Sequence, residues 1–224
     1  MEASSLTAER RLELQRAVFS GVTEVRVGRD LSSAELLLLA VDWFQVPVST
    51  FSSLSHDEAA RVLRDLTKPA GIGLWEAVSD AGASRSLRES TIRACTALFL
   101  DFFEPQCESK MVHLSQTSDP LNICCYLWWE DFPGSSLLPP HDGLPLRSAA
   151  LDAMKAIWSR SGSVACRESV IHGLGDWAGD WGEPALVLLQ EIADEVTGEP
   201  LGEYARRMLQ LARRQPPFLP PTIH

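Results

Sequence analysis

The stretch from Arg167 to Pro184 reads RESVIHGLGDWAGDWGEP, and it decides the fold of this chain. A similar stretch, RESTIRACTALFLDFFEP, runs from Arg88 to Pro105. The Arg-Glu-Ser start, the following isoleucine, and the aspartate, glutamate and proline at the end all recur at an offset of 79 residues. A fixed offset that survives across a helix and its turn is typical of repeated helical pairs, with two pairs of roughly 40 residues in each offset.

The composition favours a globular protein with a basic partner. The 224 residues can bury a core, and a hydrophobic content of 45% is ordinary for a folded domain. The formal net charge of −10 disfavours binding to nucleic acid phosphates and to anionic membranes. The N-terminus lacks the apolar run of a signal peptide, and the apolar run 34–41 is too short to span a bilayer. We therefore expect a cytoplasmic protein that binds another protein.

The five cysteines predict buried thiols, because Cys95, Cys124 and Cys166 fall within apolar helical patterns and no CxxC spacing occurs. A phosphate-binding loop and a dinucleotide-binding glycine motif are both missing from the sequence, and its serines lack the context of a hydrolase nucleophile. These observations predict no metal and no cofactor, and they favour a non-enzymatic protein.

Helix-start signals recur along the chain. Ser32, Ser55 and Ser86 each precede a glutamate by three residues, as in a capping box, and Asp119 precedes Pro120 as an N-cap. With the apolar spacing, these signals predict an all-α chain of about ten helices. The expected ranges are 6–20, 33–45, 55–67, 72–81, 87–103, 106–117, 120–132, 145–160, 164–181 and 184–196, with 200–214 following. The run 22–27 is the best strand candidate.

The chain is expected to form one helical domain over residues 1–214. Irregular N-terminal helices occupy residues 1–133, a loop rich in glycine and proline covers 134–144, and regular helical pairs fill 145–214. The tail 215–224 reads QPPFLPPTIH, which cannot continue a helix and should be extended.

Residues 145–214 resemble HEAT-like repeats. The element Leu174-Gly175-Asp176, followed by Glu183-Pro184-Ala185-Leu186, is similar to that family's consensus of a leucine-glycine, an acidic turn, a proline and a leucine. Sequence blocks around Trp128-Trp129 and around Glu168 also resemble those of bacterial helical-repeat proteins. The resemblance implies a right-handed α-solenoid of antiparallel helix pairs with a concave surface that binds proteins.

The predicted helix 164–181 has two faces at 100° per residue. Val170, Leu174, Trp177 and Trp181 form the expected core stripe. The other side carries four polar residues at a spacing of one turn, which are Glu168, His172, Asp176 and Asp180. A histidine between carboxylates suits a divalent metal or an acid/base pair, whereas a solvated face is the simpler interpretation.

The upstream stretch helps to choose between these interpretations. Glu89 and Asp101 match Glu168 and Asp180, but the two middle positions are Arg93 and Ala97. Recurrent acids in unlike contexts favour helix-face architecture over a catalytic site. The glycines of this helix each cost about 1 kcal/mol relative to alanine, so a bend, a tight helix crossing or an early helix end must offset them.

The leading functional hypothesis is therefore a protein-binding α-solenoid, in a specific form an immunity or antitoxin-type protein that masks a basic partner. The candidate contact residues are Glu168, His172, Asp176, Asp180, Glu89, Arg93 and Trp129. Trp129 is included because it lies at the margin of an apolar helix face, where it could be exposed or buried. Two alternatives stay open: a metal-dependent enzyme that uses Glu168, His172 and Asp176, and a structural homo-oligomer.

Overall fold

The computed structural model describes residues 6–19, 31–68, 71–130, 132, 143–196 and 200–214. Within these residues the chain is all-α, with eleven helices when the continuous run 85–106 is counted as one. The helices are α1 (Ala8–Phe19), α2 (Ser33–Gln45), α3 (Pro47–Phe51), α4 (His56–Thr67), α5 (Leu74–Ser79), α6 (Arg85–Ala97, continued by a π-helical part Leu98–Phe103 and a last turn Glu104–Gln106), α7 (Pro120–Tyr126), α8 (Gly143–Arg160), α9 (Val164–Trp181), α10 (Glu183–Glu195) and α11 (Pro200–Arg214).

Local capping signals explain why many helix ends fall where the sequence predicts them. The predicted ranges of α2, α9 and α11 are confirmed at both ends. Ser32 and Ser55 form capping boxes with the glutamates three residues later, and Asp119 accepts hydrogen bonds from the first amides of α7. The predicted box at Ser86 is wrong. Ser84 caps α6 instead, and Ser86 lies inside the first turn.

The predicted helix 106–117 is wrong, because the segment 107–119 is irregular. Its backbone bonds to side chains from elsewhere in the chain. The Asn122 amide group exchanges two hydrogen bonds of 2.9 Å with the backbone of Glu108, and Ser115 adopts a left-handed φ of 55°. The predicted helix 120–132 is also too long, since α7 ends at Tyr126 and turns follow. The strand candidate 22–27, most of the loop 134–144 and the tail 215–224 lie outside the described residues.

Helix α9 is buried on nearly all sides. It packs against α7, α8, α10 and α11, so residues on both of its predicted faces are covered. A Cβ atom at Gly173 would lie 2.5 Å from Cβ of Trp129, and Gly175 faces Met208 in the same way. A tight crossing with α11, one of the three expected reasons, explains Gly175, whereas Gly173 makes room for Trp129 in the turns that follow α7.

The similarity between the two stretches is only partly structural. Ile92 and Ile171 are both fully buried. Glu104–Pro105 forms the last turn of α6, however, whereas Glu183–Pro184 forms the first turn of α10. The buried side chains form one apolar cluster that includes residues of all eleven helices. Among the described helices, none has both the length and the apolar character needed to cross a membrane.

Candidate functional site

Six polar side chains meet where α9 contacts the segment 107–119, α7 and α11. Three of them, Glu168, His172 and Asp176, belong to the polar series that the sequence places on one side of α9. We call this group the polar cluster, and its members are His113, Tyr126, Glu168, His172, Asp176 and Tyr204.

Glu168 is the buried anchor of the polar cluster, with no exposed surface. Its carboxylate accepts hydrogen bonds from the backbone amides of Val112 at 2.8 Å and His113 at 3.0 Å. One of its oxygens also lies 2.6 Å from Nδ1 of His113. A buried carboxylate needs such partners, since burying an unpaired charge costs several kcal/mol. Glu168 thereby ties the irregular segment 107–119 to α9.

Two aromatic stacks complete the polar cluster. The His113 ring stacks on Tyr204 with centroids 3.8 Å apart, and the Tyr126 ring stacks on His172 at 4.1 Å. The hydroxyl of Tyr204 lies 3.1 Å from that of Tyr126 and 3.0 Å from Nδ1 of His172. Tyr204 therefore connects α11 to α7 and to α9 through one phenol oxygen. Burial raises the pKa of both tyrosines, so both phenols stay protonated at neutral pH.

His172 and Asp176 lie side by side in the polar cluster, and both side chains are partly exposed to solvent. Burial lowers the pKa of His172, so its imidazole is neutral at pH 7. A neutral imidazole has one donor and one acceptor nitrogen, and Nδ1 lies within hydrogen-bond distance of the Tyr204 hydroxyl. Nε2 lies 3.4 Å from Asp176 Oδ2 and forms no hydrogen bond within the described residues. Burial raises the pKa of Asp176 to about 6, because the ionised carboxylate loses solvation.

The contacts of the polar cluster stabilise the fold, and they leave few of its polar groups free to react. Both oxygens of Glu168 and Nδ1 of each histidine already have partners inside the protein. Within the described part of the chain, no three His, Cys, Asp or Glu side chains are placed to hold a metal ion. Glu168, His172 and Asp176 are therefore not placed as a three-ligand metal site.

The remaining predicted contact residues lie elsewhere. Asp180 is half-buried one turn beyond Asp176, and within the described part of the chain no ion pair links it to the polar cluster. Glu89 and Arg93 pair with each other at 3.0 Å on the surface of α6, and Arg93 also approaches Asp152 at 3.7 Å. They form a separate surface.

Two of the predicted contact residues are corrected by their burial. Trp129 has no exposed surface, and its ring stacks on Phe99 with centroids 5.9 Å apart. Glu168 is equally buried. Neither side chain can touch a partner in this structure. The expected solvated face of α9 is therefore wrong at Glu168, because the segment 107–119 covers it.

Sequence reasoning missed His113, Tyr126 and Tyr204 as partners of this site. His113 lies 55 residues from Glu168, and Tyr204 lies 32 residues from His172. A helical period relates residues within one helix only, so no spacing in the sequence could join them.

The solvent side of α10 is the second candidate feature. This helix carries four acidic residues and no lysine or arginine, and Val187 on its outer side is 45% exposed. Glu183, Val187 and Glu191 follow one another at intervals of one turn, and Asp194 extends the same side. We call these four residues the acidic face of α10. A groove of about 220 Å³ lies along it, lined by Glu183, Leu186, Val187, Gln190, Glu191, Asp194 and Arg213.

The acids of this face have weak partners or none. Glu191 lies 3.9 Å from Lys155, and both side chains are more than half exposed, so the pair contributes little. Asp194 accepts a hydrogen bond of 2.8 Å from the amide of Gln190. No ion pair involves Glu183 within the described residues. The face is thus one exposed valine flanked by carboxylates that lack strong counter-ions.

The chain matches no protein-family model, no curated protein and no solved structure.

Proposed function

We propose that this chain is a non-enzymatic binding protein whose partner presents a basic surface. The observation that carries the proposal is the acidic face of α10, where carboxylates without strong counter-ions surround an exposed valine. An exposed apolar side chain with a charged margin suits a protein interface, where apolar contacts give affinity and charges guide the approach. The overall charge of −10 extends the same preference to the whole surface.

The proposal includes a HEAT-like arrangement of the C-terminal helices. The first pair would be α8 and α9, which contact each other across the short connection 161–163, and the second would be α10 and α11. In such a stack the outer side of the last pair has no further repeat to cover it. This position agrees with the exposure of Val187 on α10.

A specific form of the proposal is an immunity or antitoxin-type protein that masks a basic toxin. A small acidic binder suits that task, because electrostatic attraction speeds association with a basic target. Inhibition of a co-purifying activity by the chain would support this form. A partner without any such activity would contradict it.

The experiment is capture of partners by the tagged chain from its native host at low and at high salt. We expect one protein of high isoelectric point in a stoichiometric complex, with less recovered at high salt because exposed charges are screened. The size of the complex from light scattering gives the stoichiometry. Failure to recover a stoichiometric partner at either salt concentration would refute the proposal.

The two alternatives find less support. The metal-dependent enzyme lacks a converging set of ligands among the described residues. For the homo-oligomer, Trp129 is not available as a subunit contact, because that side chain is buried. Elemental analysis of the purified protein and light scattering over a wide concentration range test them directly.

A further inference from the structure

The groove beside α10 has a shape and a charge pattern that specify one kind of occupant. Glu183 and Glu191 are eight residues apart on the same side of the helix, a distance of about 12 Å along its axis at 1.5 Å per residue. Val187 lies midway between them, and Leu186 lines the groove beside it. An apolar contact point is thus held between two negative ones over two helical turns.

One margin of the groove carries the opposite charge, and this sets the orientation of an occupant. Arg213 of α11 donates a hydrogen bond of 2.8 Å to the amide oxygen of Gln190, and the amide nitrogen of Gln190 donates to Asp194 at 2.8 Å. Arg213 is therefore held at the α11 margin. Basic groups of an occupant are repelled there and attracted on the side of Glu183 and Glu191.

We propose that the groove beside α10 binds a basic amphipathic helix of another protein. An apolar residue of that helix would contact Val187 and Leu186, and lysine or arginine residues one turn before and one turn after it would face Glu191 and Glu183. This spacing is that of one helix face, with anchors at i, i+4 and i+8. The inference rests on the proposed function and names the partner class and the place where it binds.

The other exposed apolar side chains carry no such argument. Val46 and Val48 are 57% and 51% exposed, but neither side chain lines the groove of about 350 Å³ that lies beside them at Gln45 and Asp101. Charge complementarity beside a groove is the feature that distinguishes α10.

The test uses the full-length chain and a synthetic probe. The probe is a labelled, acetylated and amidated 14-residue peptide of lysine and leucine, with leucine at helical spacing. Its control is an isomer of the same composition whose leucines are scattered around the helix. Binding is measured by fluorescence anisotropy. We expect the amphipathic peptide to bind at least about fivefold more tightly than the isomer, because only it presents an apolar strip to Val187.

Matched variants locate the binding place. Glu191→Lys with Asp194→Lys reverses two charges in the groove, whereas Glu9→Lys with Glu13→Lys makes the same change in net charge on α1, where Glu13 is 65% exposed. We expect the groove variant to weaken peptide binding at least about tenfold, since attractive contacts become repulsive, and the α1 variant to weaken it less than about twofold. Circular dichroism confirms that each variant is folded.

A second pair of variants tests the apolar contact without changing the charge. Val187→Ser is expected to weaken binding about threefold, and Val48→Ser, at an equally exposed valine on α3, should leave it unchanged. Equal effects of the two charge variants, or equal binding of the two peptides, would overturn the inference. A native partner whose capture survives the groove variant would also overturn it while leaving the proposed function intact. Failure to capture any partner would refute the proposed function instead.

Discussion

Replacing Asp176 by asparagine is expected to stabilise the protein at neutral pH. Burial raises the pKa of this carboxyl to about 6 from an ordinary value of 3.8. Above pH 6 the carboxylate is ionised in both the folded and the unfolded chain, and the folded chain bears the cost of desolvation. A difference of about two pKa units corresponds to about 3 kcal/mol.

The expected gain is smaller than that figure because the Asp176 side chain is 33% exposed. Screening by solvent reduces the gain to about 1–2 kcal/mol in the free energy of unfolding. The pH dependence follows from the direction of the shift. The folded state holds the proton more tightly, so the wild type loses stability as pH rises from 3.8 to 6, and the loss then stays constant. At pH 3.5 the carboxyl is protonated in the folded state and mostly protonated in the unfolded state, so the two proteins should differ in stability by less than about 0.5 kcal/mol.

Urea unfolding of both proteins at pH 7.5 and at pH 3.5 measures this difference. Asp180→Asn is the control, since it removes a charge one turn further along α9 and should change stability by less than about 0.5 kcal/mol. An Asp176→Asn variant that is no more stable than the wild type at pH 7.5 would refute the reasoning. A gain that persists at pH 3.5 would also refute it, since the gain would then not come from the charge.

Three further substitutions test the packing and the polar cluster through their effect on the free energy of unfolding. Gly173→Ala should destabilise the protein by about 1–2 kcal/mol, because the clash of the added methyl group with a buried tryptophan costs more than the gain in helix propensity. Its control is Gly162→Ala, which should change stability little, because the nearest atom to the added methyl group would be 3.6 Å away. Glu168→Gln should lower the free energy of unfolding by about 2–3 kcal/mol, since an amide cannot accept all the hydrogen bonds of the carboxylate. The matching change Glu89→Gln on the surface should lower it by less than about 0.5 kcal/mol. Tyr204→Phe should cost about 1–2 kcal/mol by removing the hydroxyl that joins two helices. Urea unfolding at pH 7.5 measures all of them, and an effect in a control as large as in its partner would contradict the structural reason given.

The sequence predicts the helices where their ends depend on local chemistry. The capping serines Ser32 and Ser55 bond within their own first turn, so their spacing marks the start of α2 and α4, although the same spacing at Ser86 does not mark the start of α6. The segment 107–119 shows where this reasoning fails. Its apolar spacing predicts a helix, but its backbone amides bond to Asn122 and Glu168. Tertiary hydrogen bonds override helix propensity there, and single-sequence spacing cannot detect them.

The sequence predicts the candidate site only in part, because helical spacing does not detect contacts between distant parts of the chain. Helical spacing correctly places Glu168, His172 and Asp176 along one side of α9. It cannot say what covers that side, and the covering groups, His113 and Tyr204, come from distant parts of the chain. Burial of Glu168 therefore changes the interpretation of this side from a surface contact to an internal brace. The acidic face of α10 was not singled out, because its acids matter only once Val187 is known to be exposed between them.

Hydrogen–deuterium exchange of the chain, alone and in complex with the partner that it captures, tests the central claim most directly. The claim is that α10 binds a basic protein. The account predicts slower backbone amide exchange confined to α10 and the adjoining end of α11, with α1 and α6 unchanged. Protection centred on another surface, with α10 exchanging as in the free chain, would contradict it.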